Sequence, residues 1–427
     1  MKLHWQILIA IGLAISVGAF LDKGFTVLGV SFYATFELFG QLFLNGLKMI
    51  VVPLIISSII CGVASAGVGG NIGKMGGKTL GFYMLSSLLA ILMGLALVNI
   101  TQPGIVDGQP AAEQLNLSTS EAERAQALEK VAGRDAGDIT DVILRLLPTN
   151  VIAAAADDGQ MLGLIVFSLL FGFFMLRIKN QKQVEIMTNF WQGIFETMMA
   201  ITMLIMKFAP IGVFCLVAKT VMATGFDAFG PLMVFFFTVF VALMLHAFVT
   251  MALLLRYVGG INPLLHYKAM MPAMLTAFST ASSSATLPLT LECVEKKAGV
   301  SNKTSSFVLP LGATINMDGT ALYECVAALF IAQAYGMDLT FAQQFMVVVV
   351  ALLTSVGVAG IPAASLVAIS VILTAMGLPL EGIGLLLVTD RILDMIRTAV
   401  NVFSDSCCAV IVARSQGENG LYPKEVL

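Results

Sequence analysis

Six polar residues near the end of the chain share one face of a predicted helix. They are Asp390, Asp394, Arg397, Thr398, Asn401 and Asp405. On a helical wheel they fall within one arc of roughly 100°, and the opposite arc is mostly apolar. The surrounding segment is apolar enough to lie in a membrane, where such a face must meet protein, water or a ligand rather than lipid. The pattern therefore predicts a binding site.

Arg397 and Asp394 indicate what that site would bind. A guanidinium is a planar fork that holds a carboxylate through two parallel hydrogen bonds. Asp394, three residues earlier on the same face, can receive an ammonium group. An arginine beside a free carboxylate predicts an acidic amino acid, whose other carboxylate the backbone N–H groups of helix N-termini would hold. Taken alone, the pair is also compatible with a purely structural ion pair.

A second polar group interrupts an earlier apolar segment. We expect Gly319 to break that helix and to free backbone carbonyls, which a bound cation can satisfy inside a membrane. The two helices together offer the side-chain oxygens of Asn316, Asp318, Asn401 and Asp405. Hard oxygen ligands without histidine suit Na⁺ rather than a transition metal. A cation would also offset the cost of burying carboxylates at mid-membrane.

Two apolar stretches are too interrupted to span a bilayer. Residues 266–297 are cut by a Ser- and Thr-rich run, and residues 341–376 by a Gly- and Pro-containing run. Each half has roughly 10–15 residues, too few to cross a core of about 30 Å. We predict two re-entrant helical hairpins, the first opening to the cytoplasm and the second to the outside. Paired broken segments in inverted halves are typical of secondary-transporter substrate sites.

The composition supports a membrane protein. Of 427 residues, 58% are hydrophobic and 11% charged, against about 25% charged in soluble domains. A net charge of −3 without a basic stripe excludes a nucleic-acid binder. The high apolar content excludes a disordered chain. None of the six cysteines forms a CxxC pair, so neither a disulfide framework nor a zinc site is indicated.

Helix length and charge predict the topology. A spanning helix needs about 20 apolar residues, and the candidates are 4–21, 34–66, 79–101, 150–176, 185–222, 228–256, 304–333 and 378–413. With the N-terminus in the cytoplasm, Lys and Arg concentrate in cytoplasmic segments, as the positive-inside rule requires. We expect residues 102–141 to form an external loop. The predicted fold class is an all-α polytopic membrane protein with eight transmembrane helices, two re-entrant hairpins and inverted repeats, both termini being cytoplasmic.

Four motifs together resemble a known family. They are Ser282-Ser283-Ser284-Ala285-Thr286-Leu287-Pro288, Asn316-Met317-Asp318-Gly319-Thr320, Ala359-Gly360-Ile361-Pro362 and Asp394-Met395-Ile396-Arg397-Thr398-Ala399-Val400-Asn401. They are similar to the sodium:dicarboxylate symporters, which include the excitatory amino acid transporters and prokaryotic aspartate and glutamate relatives. The likeness covers essentially the whole chain and is strongest from about residue 270 to 413.

The resemblance implies a homotrimeric elevator-type transporter of the cell (inner) membrane, and not an enzyme. A fixed scaffold would support a transport domain that slides relative to it. The implied division is scaffold helices 1–2 in 1–66, transport-domain helix 3 in 67–101, the external loop and scaffold helices 4–5 in 102–227, the main transport domain in 228–413, and a cytoplasmic tail in 414–427.

The resemblance also implies roles for individual residues. Arg397 would hold the side-chain carboxylate of the substrate and Asp394 its amine, assisted by Thr398, Asn401, Thr320, Ser283 and Ile361. One Na⁺ site would use Asn316, Asn401 and Asp405. A second would use Tyr83, Ser86 and Ser87 with Asn316 and Asp318, and a third the carbonyls of Ser355, Val356 and Val358 near Thr314.

The chain departs from the family pattern at several positions. Ala281 stands where some relatives carry an arginine, and Arg391 is the candidate to replace it. Ser365 replaces a pocket-facing glycine, and Ser404 and Cys408 stand where glycines are usual beside the last acidic residue. Glu324 matches the animal transporters, where the equivalent acid is tied to H⁺ and K⁺ coupling, whereas archaeal sodium-only relatives have glutamine.

The predicted function is Na⁺-driven uptake of aspartate or glutamate, with Glu324 as the candidate for H⁺ or K⁺ coupling and no organic cofactor. The alternative within the same class is a C4-dicarboxylate symporter, in which Asp394 would have no amine to bind. An intramembrane protease using Asp318 and Asp405 as a shared-proton pair is a remote alternative, since no GxGD-type sequence is present. A channel, which would dissipate gradients without concentrating substrate, is a third.

Overall fold

The computed structural model is built almost entirely from helices. It describes residues 3–27, 30–67, 73–111, 147–156, 161–224, 229–355, 364–378, 382–418 and 420–422. The helices are α1 (Leu3–Phe20), α2 (Phe32–Gly67), α3 (Gly73–Thr101), α4 (Val151–Ala156), α5 (Met161–Met175), α6 (Gln181–Lys207), α7 (Ala209–Thr224), α8 (Phe229–Leu245), α9 (Pro263–Thr280), α10 (Ser283–Glu292), α11 (Asn302–Ile315), α12 (Asp318–Ala334), α13 (Phe341–Ser355), α14 (Ala364–Met376) and α15 (Ile383–Ser415).

Four helical segments within the described ranges are long and apolar enough to cross a membrane. They are Met75–Thr101, Gly230–Val258, Asn302–Ala334 and Thr389–Ser415. A fifth candidate is the pair Gln181–Ile205 and Ala209–Lys219, which is bent by 53°. The mostly helical architecture with several apolar helices agrees with the predicted polytopic membrane protein. The number of eight spans plus two hairpins stays a prediction.

The segment predicted as one span at 185–222 is two helices. α6 ends at Lys207 and α7 begins at Ala209, where Pro210 lies in the first turn. Proline is tolerated at the start of a helix but lacks the N–H that would continue the helix before it. The span predicted at 150–176 is described as α4 and α5, and residues 157–160 between them lie outside the described ranges.

The break predicted at Gly319 occurs slightly earlier in the chain. α11 ends at Ile315, Asn316 and Met317 have non-helical backbone angles, and α12 begins at Asp318. Gly319 is therefore helical. A Cβ on Gly319 would lie 2.8 Å from the carbonyl oxygen of Arg397, so the glycine is required by the close approach of α12 to α15 rather than by a break.

The first predicted hairpin has a sharp turn between two helices. Asn262 caps α9 by accepting a hydrogen bond from the backbone N–H of Leu264. Ala281 then adopts a left-handed conformation (φ 50°), and Ser282 caps α10 by accepting a hydrogen bond from Ala285 N. α13 and α14 pack against each other as the halves of the second predicted hairpin. Its tip, residues 356–363, lies outside the described ranges.

Helix packing places α15 in the middle of the site-bearing elements. α15 packs against α8, α9, α11 and α12, and α12 also packs against α3. α1 packs on α7, and α2 packs on α5, α6 and α7. Two short antiparallel ribbons accompany the helices: Thr26–Val27 (β1) pairs with Val30–Ser31 (β2), and Ile105–Val106 (β3) with Gln109–Pro110 (β4). The all-α prediction did not include these ribbons.

Candidate functional site

The predicted polar face of α15 is buried along its whole length. Its members Asp390, Asp394, Arg397, Thr398, Asn401 and Asp405 are each at most 5% exposed. These residues recur at helical spacing along α15, so they lie on one face of the helix, while the opposite face is mostly apolar. The burial agrees with the expectation that such a face meets protein, water or ligand.

Arg397 is held by groups from three helices. Its Nη1 donates to Asp390 Oδ1 at 3.1 Å, and its Nη2 donates to Asp394 Oδ1 at 2.9 Å and to Ser365 Oγ at 2.5 Å. The guanidinium carbon lies 4.2 Å from the centre of the Tyr323 ring, within the range of a cation–π contact. These contacts fix the plane of the fork, and a bound carboxylate would have to share or replace them.

Thr398 and Asn401 have different partners. Thr398 Oγ1 donates to the backbone carbonyl of Asp394 at 2.7 Å, a bond within its own helix. Asn401 Oδ1 accepts from Gly319 N at 2.8 Å, and its Nδ2 donates to Thr320 Oγ1 at 3.1 Å. Asn401 therefore ties α15 to the N-terminus of α12 and brings Thr320 beside the polar face.

The Asp318 carboxylate is the centre of a buried polar cluster. Ser87 Oγ donates to its Oδ1 at 2.6 Å, and Ser86 Oγ lies 3.3 Å from the same atom. Ser404 Oγ donates to its Oδ2 at 2.6 Å, and His246 Nε2 lies 3.2 Å from Oδ2. All five residues are fully buried, and they come from four separate segments of the chain.

Asn316 extends this cluster to Asp405. Its Nδ2 donates to Asp405 Oδ1 at 2.9 Å and to Ser404 Oγ at 3.0 Å, and its Oδ1 accepts from Ser86 Oγ at 3.2 Å. Because Asn316 lies where α11 ends, the helix break aims this side chain at both carboxylate-bearing helices. Asn316 thus joins two predicted Na⁺ ligand sets.

Tyr83 lies on the other side of Asp405. Its hydroxyl donates to the carbonyl of Val308 at 2.8 Å. A Cβ on Gly312 would lie 2.7 Å from that hydroxyl oxygen and would overlap the Asp405 carboxylate, so both groups converge on this glycine. The donors gathered here are carboxylate, amide, hydroxyl and carbonyl oxygens, which fit an alkali cation. In the described part of the chain no group of three or more His, Cys, Asp or Glu side chains could hold a metal ion.

Other predicted site residues are described less completely. Ser283 is buried at the first position of α10. Ser355 is buried, and its Oγ donates to the carbonyl of Leu352 at 2.9 Å. Val356, Val358 and Ile361 lie outside the described residues, as does the side chain of Thr314.

Glu324 is buried on α12, further along the same helix than Asp318. Its Oε2 accepts from Thr354 Oγ1 at 3.2 Å, and its Oε1 has no hydrogen-bond partner among the described residues. A carboxyl oxygen buried without a partner is costly and indicates a group with a role beyond packing.

Sequence reasoning missed several partners within the site. The helical spacing places Asp390 on the polar face but indicates no role for it, although it pairs with Arg397. His246 and Tyr323 lie in no sequence motif, yet they contact Asp318 and Arg397 respectively. His246 opens a π-helical turn, His246–Thr250, and such turns are frequent at functional sites, but a π turn has no reliable sequence pattern.

Comparison with known proteins gives a consistent result. A model of the sodium:dicarboxylate symporter family matches residues 3–415. The chain is 34% identical to a proton/glutamate-aspartate symporter of Escherichia coli (strain K12), over 97% of this chain and 92% of the relative. It is 35% identical to a proton/sodium-glutamate symport protein of Bacillus caldotenax, over 97% and 95%. It is 33% identical to excitatory amino acid transporter 3 of Oryctolagus cuniculus, over 97% and 86%.

These matches bear on the predicted class of protein. They extend over nearly the whole chain and include the buried polar faces of α12 and α15. The family consists of symporters, which confirms the prediction of a transporter rather than an enzyme. The chain belongs to the sodium:dicarboxylate symporter family.

Proposed function

We propose that the chain is a secondary active symporter that takes up aspartate, glutamate or both across the cell membrane, driven by a Na⁺ gradient. The observation that carries the proposal is that Arg397 and Asp394 are buried together on one face of α15. The same face carries Asp405, which Asn316 links to the Asp318 cluster. Relatives that cover nearly the whole chain are named as glutamate or aspartate symporters, with proton or sodium as the coupled ion.

The substrate site follows from the charges on α15. Arg397 would grip the side-chain carboxylate, because a guanidinium offers two parallel donors. Asp394 would hold the ammonium group. The remaining proposed substrate contacts are Thr398, Asn401, Thr320, Ser283, Ile361 and Ser365, with the N–H groups of the two hairpin tips holding the α-carboxylate.

Na⁺ is a co-transported substrate in this proposal. The proposed ligands are Asp405, Asp318, Asn316, Asn401, Tyr83, Ser86, Ser87, Thr314, Ser355, Val356 and Val358. Asp318 and Asp405 are buried carboxyl groups, and bound cations would compensate their charge. Cations that bind first neutralise them, the second hairpin closes over the substrate, and the domain crosses only when it is either filled or empty.

The proposed assembly is a homotrimer in the lipid bilayer of the cell (inner) membrane. Scaffold helices in residues 1–66 and 102–227 would stay fixed, and the transport domain formed by 67–101 and 228–413 would move as an elevator. Packing of α1 and α2 on α5 to α7, and of α15 on α8, α9, α11 and α12, supports this division.

Glu324 is the proposed H⁺ or K⁺ coupling residue. The supporting observation is its buried carboxyl with one oxygen unpartnered within the described residues. In that role Glu324→Gln would abolish any acceleration of uptake by an inward H⁺ gradient or an outward K⁺ gradient, while leaving Na⁺-dependent substrate binding in place.

Uptake of labelled aspartate into proteoliposomes tests the function, with Na⁺, H⁺ and K⁺ gradients set separately. We expect concentrative uptake only with an inward Na⁺ gradient, and stronger competition by unlabelled glutamate or aspartate than by succinate. Equal competition by succinate would favour a C4-dicarboxylate carrier. Current without accumulation would favour a channel, and uptake indifferent to Na⁺ would overturn the proposed coupling.

A further inference from the structure

Arg391 is a second buried guanidinium that the proposed substrate site does not use. Its Nη1 donates to Asp394 Oδ2 at 3.1 Å, and the side chains of both residues are 7% exposed. Its Nε is buried and has no hydrogen-bond partner among the described residues. An arginine donor left unmatched in a buried site is costly, and an acceptor-bearing ligand nearby would satisfy it.

The pairing of charges on α15 shows what Arg391 does electrostatically. Arg397 pairs with Asp390 at 3.1 Å and with Asp394 at 2.9 Å, and Arg391 pairs with the other oxygen of Asp394. Two guanidinium groups therefore balance two carboxylates. Without Arg391 the group would carry one net negative charge, in a buried environment where charges interact strongly.

We propose that Arg391 is a specificity-determining residue that makes this pocket select amino acids with a second carboxylate over neutral ones. The inference rests on the proposed function and adds a residue to it. By neutralising Asp394, Arg391 moderates the attraction of the pocket for an ammonium group and removes repulsion of a second carboxylate. Acidic and neutral amino acids carry the same ammonium group, so only the carboxylate term differs between them, and loss of the Arg391 charge would shift selectivity toward neutral amino acids.

The test compares aspartate with asparagine, which differ by one charged group. Binding of each to the purified full chain in sodium buffer is measured by calorimetry for wild type, Arg391→Gln and Arg391→Lys. We expect wild type to prefer aspartate, and Arg391→Gln to reduce the aspartate-to-asparagine affinity ratio at least about tenfold. Arg391→Lys keeps the charge and should hold the ratio within about threefold of wild type.

The outcomes separate this inference from the proposed function. If Arg391 only supported the fold, Arg391→Gln would weaken both ligands in proportion and leave the ratio unchanged, which would overturn the inference. If Arg391→Gln does not fold, Arg391→Lys becomes the test. A fall of its aspartate-to-asparagine affinity ratio beyond about threefold of wild type would then overturn the inference. Failure of wild type to bind aspartate in sodium buffer would overturn the proposed function itself.

Discussion

Arg397 is positioned by side chains from three helices, a geometry that suits the carboxylate recognition proposed for it. Asp390 and Asp394 orient its two terminal nitrogens, and Ser365 accepts a third hydrogen bond. The Tyr323 ring supports the guanidinium face. A guanidinium held in this way loses little conformational entropy when it binds a ligand. Removing it should therefore reduce substrate affinity far more than removing a surface arginine.

Replacement of this guanidinium should change which substrates are accepted. Arg397→Cys is expected to reduce kcat/KM for aspartate by at least about thirtyfold, because a buried charge-assisted pair with the substrate is lost. Neutral amino acids such as serine should gain in competition. Uptake by proteoliposomes is the measurement, and Arg256→Cys, which removes an exposed arginine, is the matched control. Unchanged aspartate uptake in Arg397→Cys would contradict the assigned role.

Some contacts of the site could be predicted from residue spacing and others could not. Asp394 and Arg397 are three residues apart, so helix geometry alone brings them together. His246 reaches Asp318 from a distant helix, and no local pattern indicates that meeting. The family resemblance indicates Arg391 only as a substitute for another arginine, and its pairing with Asp394 depends on rotamers that the sequence does not specify.

At the scale of elements, glycine decides how closely α12 and α15 approach. Gly319→Ala should lower the melting temperature, because its Cβ would lie 2.8 Å from the Arg397 carbonyl oxygen and overpacking costs about 1–3 kcal/mol. Gly81→Ala is the control: no atom lies within 4 Å of its Cβ, and alanine favours a helix by roughly 0.5–1 kcal/mol. Thermal unfolding in detergent measures both. Equal effects of the two substitutions would refute this explanation.

The segment after α15 ties several elements together at one end of the molecule. Glu418 accepts hydrogen bonds from Ser301 Oγ at 2.6 Å and from Thr304 Oγ1 at 2.5 Å, at the start of α11. The Tyr422 hydroxyl lies 2.6 Å from His266 Nδ1 of α9, and Lys78 Nζ of α3 donates to the carbonyl of Ser415 at 2.9 Å. We define residues 415–418 and 420–422 as the C-terminal strap.

Protonation of Glu418 should release part of this strap. Burial opposes its ionisation, but hydrogen bonds from Ser301 and Thr304 outweigh burial and lower its pKa. Its stabilising contribution is therefore complete above the unfolded pKa of about 4.3 and is lost as pH falls through the lower folded pKa. Glu418→Gln should melt about 2 °C below wild type at pH 7, and the gap should close in acid.

The control for the strap is a carboxylate that makes no such hydrogen bonds with the described residues. Glu185→Gln, at an exposed position of α6, should melt like wild type at every pH. A melting difference between wild type and Glu418→Gln that persists unchanged in strong acid would show that the Glu418 hydrogen bonds are not the cause.

Helix boundaries were predicted less well than helix existence. Asn316, not Gly319, lies at the break before α12, and its side chain bonds Asp405 and Ser404 there. The single span predicted at 185–222 is bent by 53° between α6 and α7. Hydrophobicity alone cannot locate such a bend, since both halves are apolar.

At the scale of the whole molecule, composition predicted the class of protein. Large hydrophobic side chains remain exposed on several helices, including Phe20 at 87%, Ile100 at 76% and Leu38 at 65%. Such exposure is unfavourable in water and natural in a bilayer, or in contact with other subunits. The charged residues of the site are instead buried among α3, α12 and α15, so the apolar exterior surrounds a polar interior, as a transporter requires.

In the proposed function, Arg397 and the neighbouring acids form one site that Na⁺ helps to fill. Calorimetric titration of the purified chain with aspartate, in sodium buffer and in choline buffer of equal ionic strength, tests it most directly. Because coupling between ligands is reciprocal, we expect aspartate affinity to rise with each increase in Na⁺ concentration and to be at least about a hundredfold weaker in choline. Equal affinity in the two buffers would contradict the account.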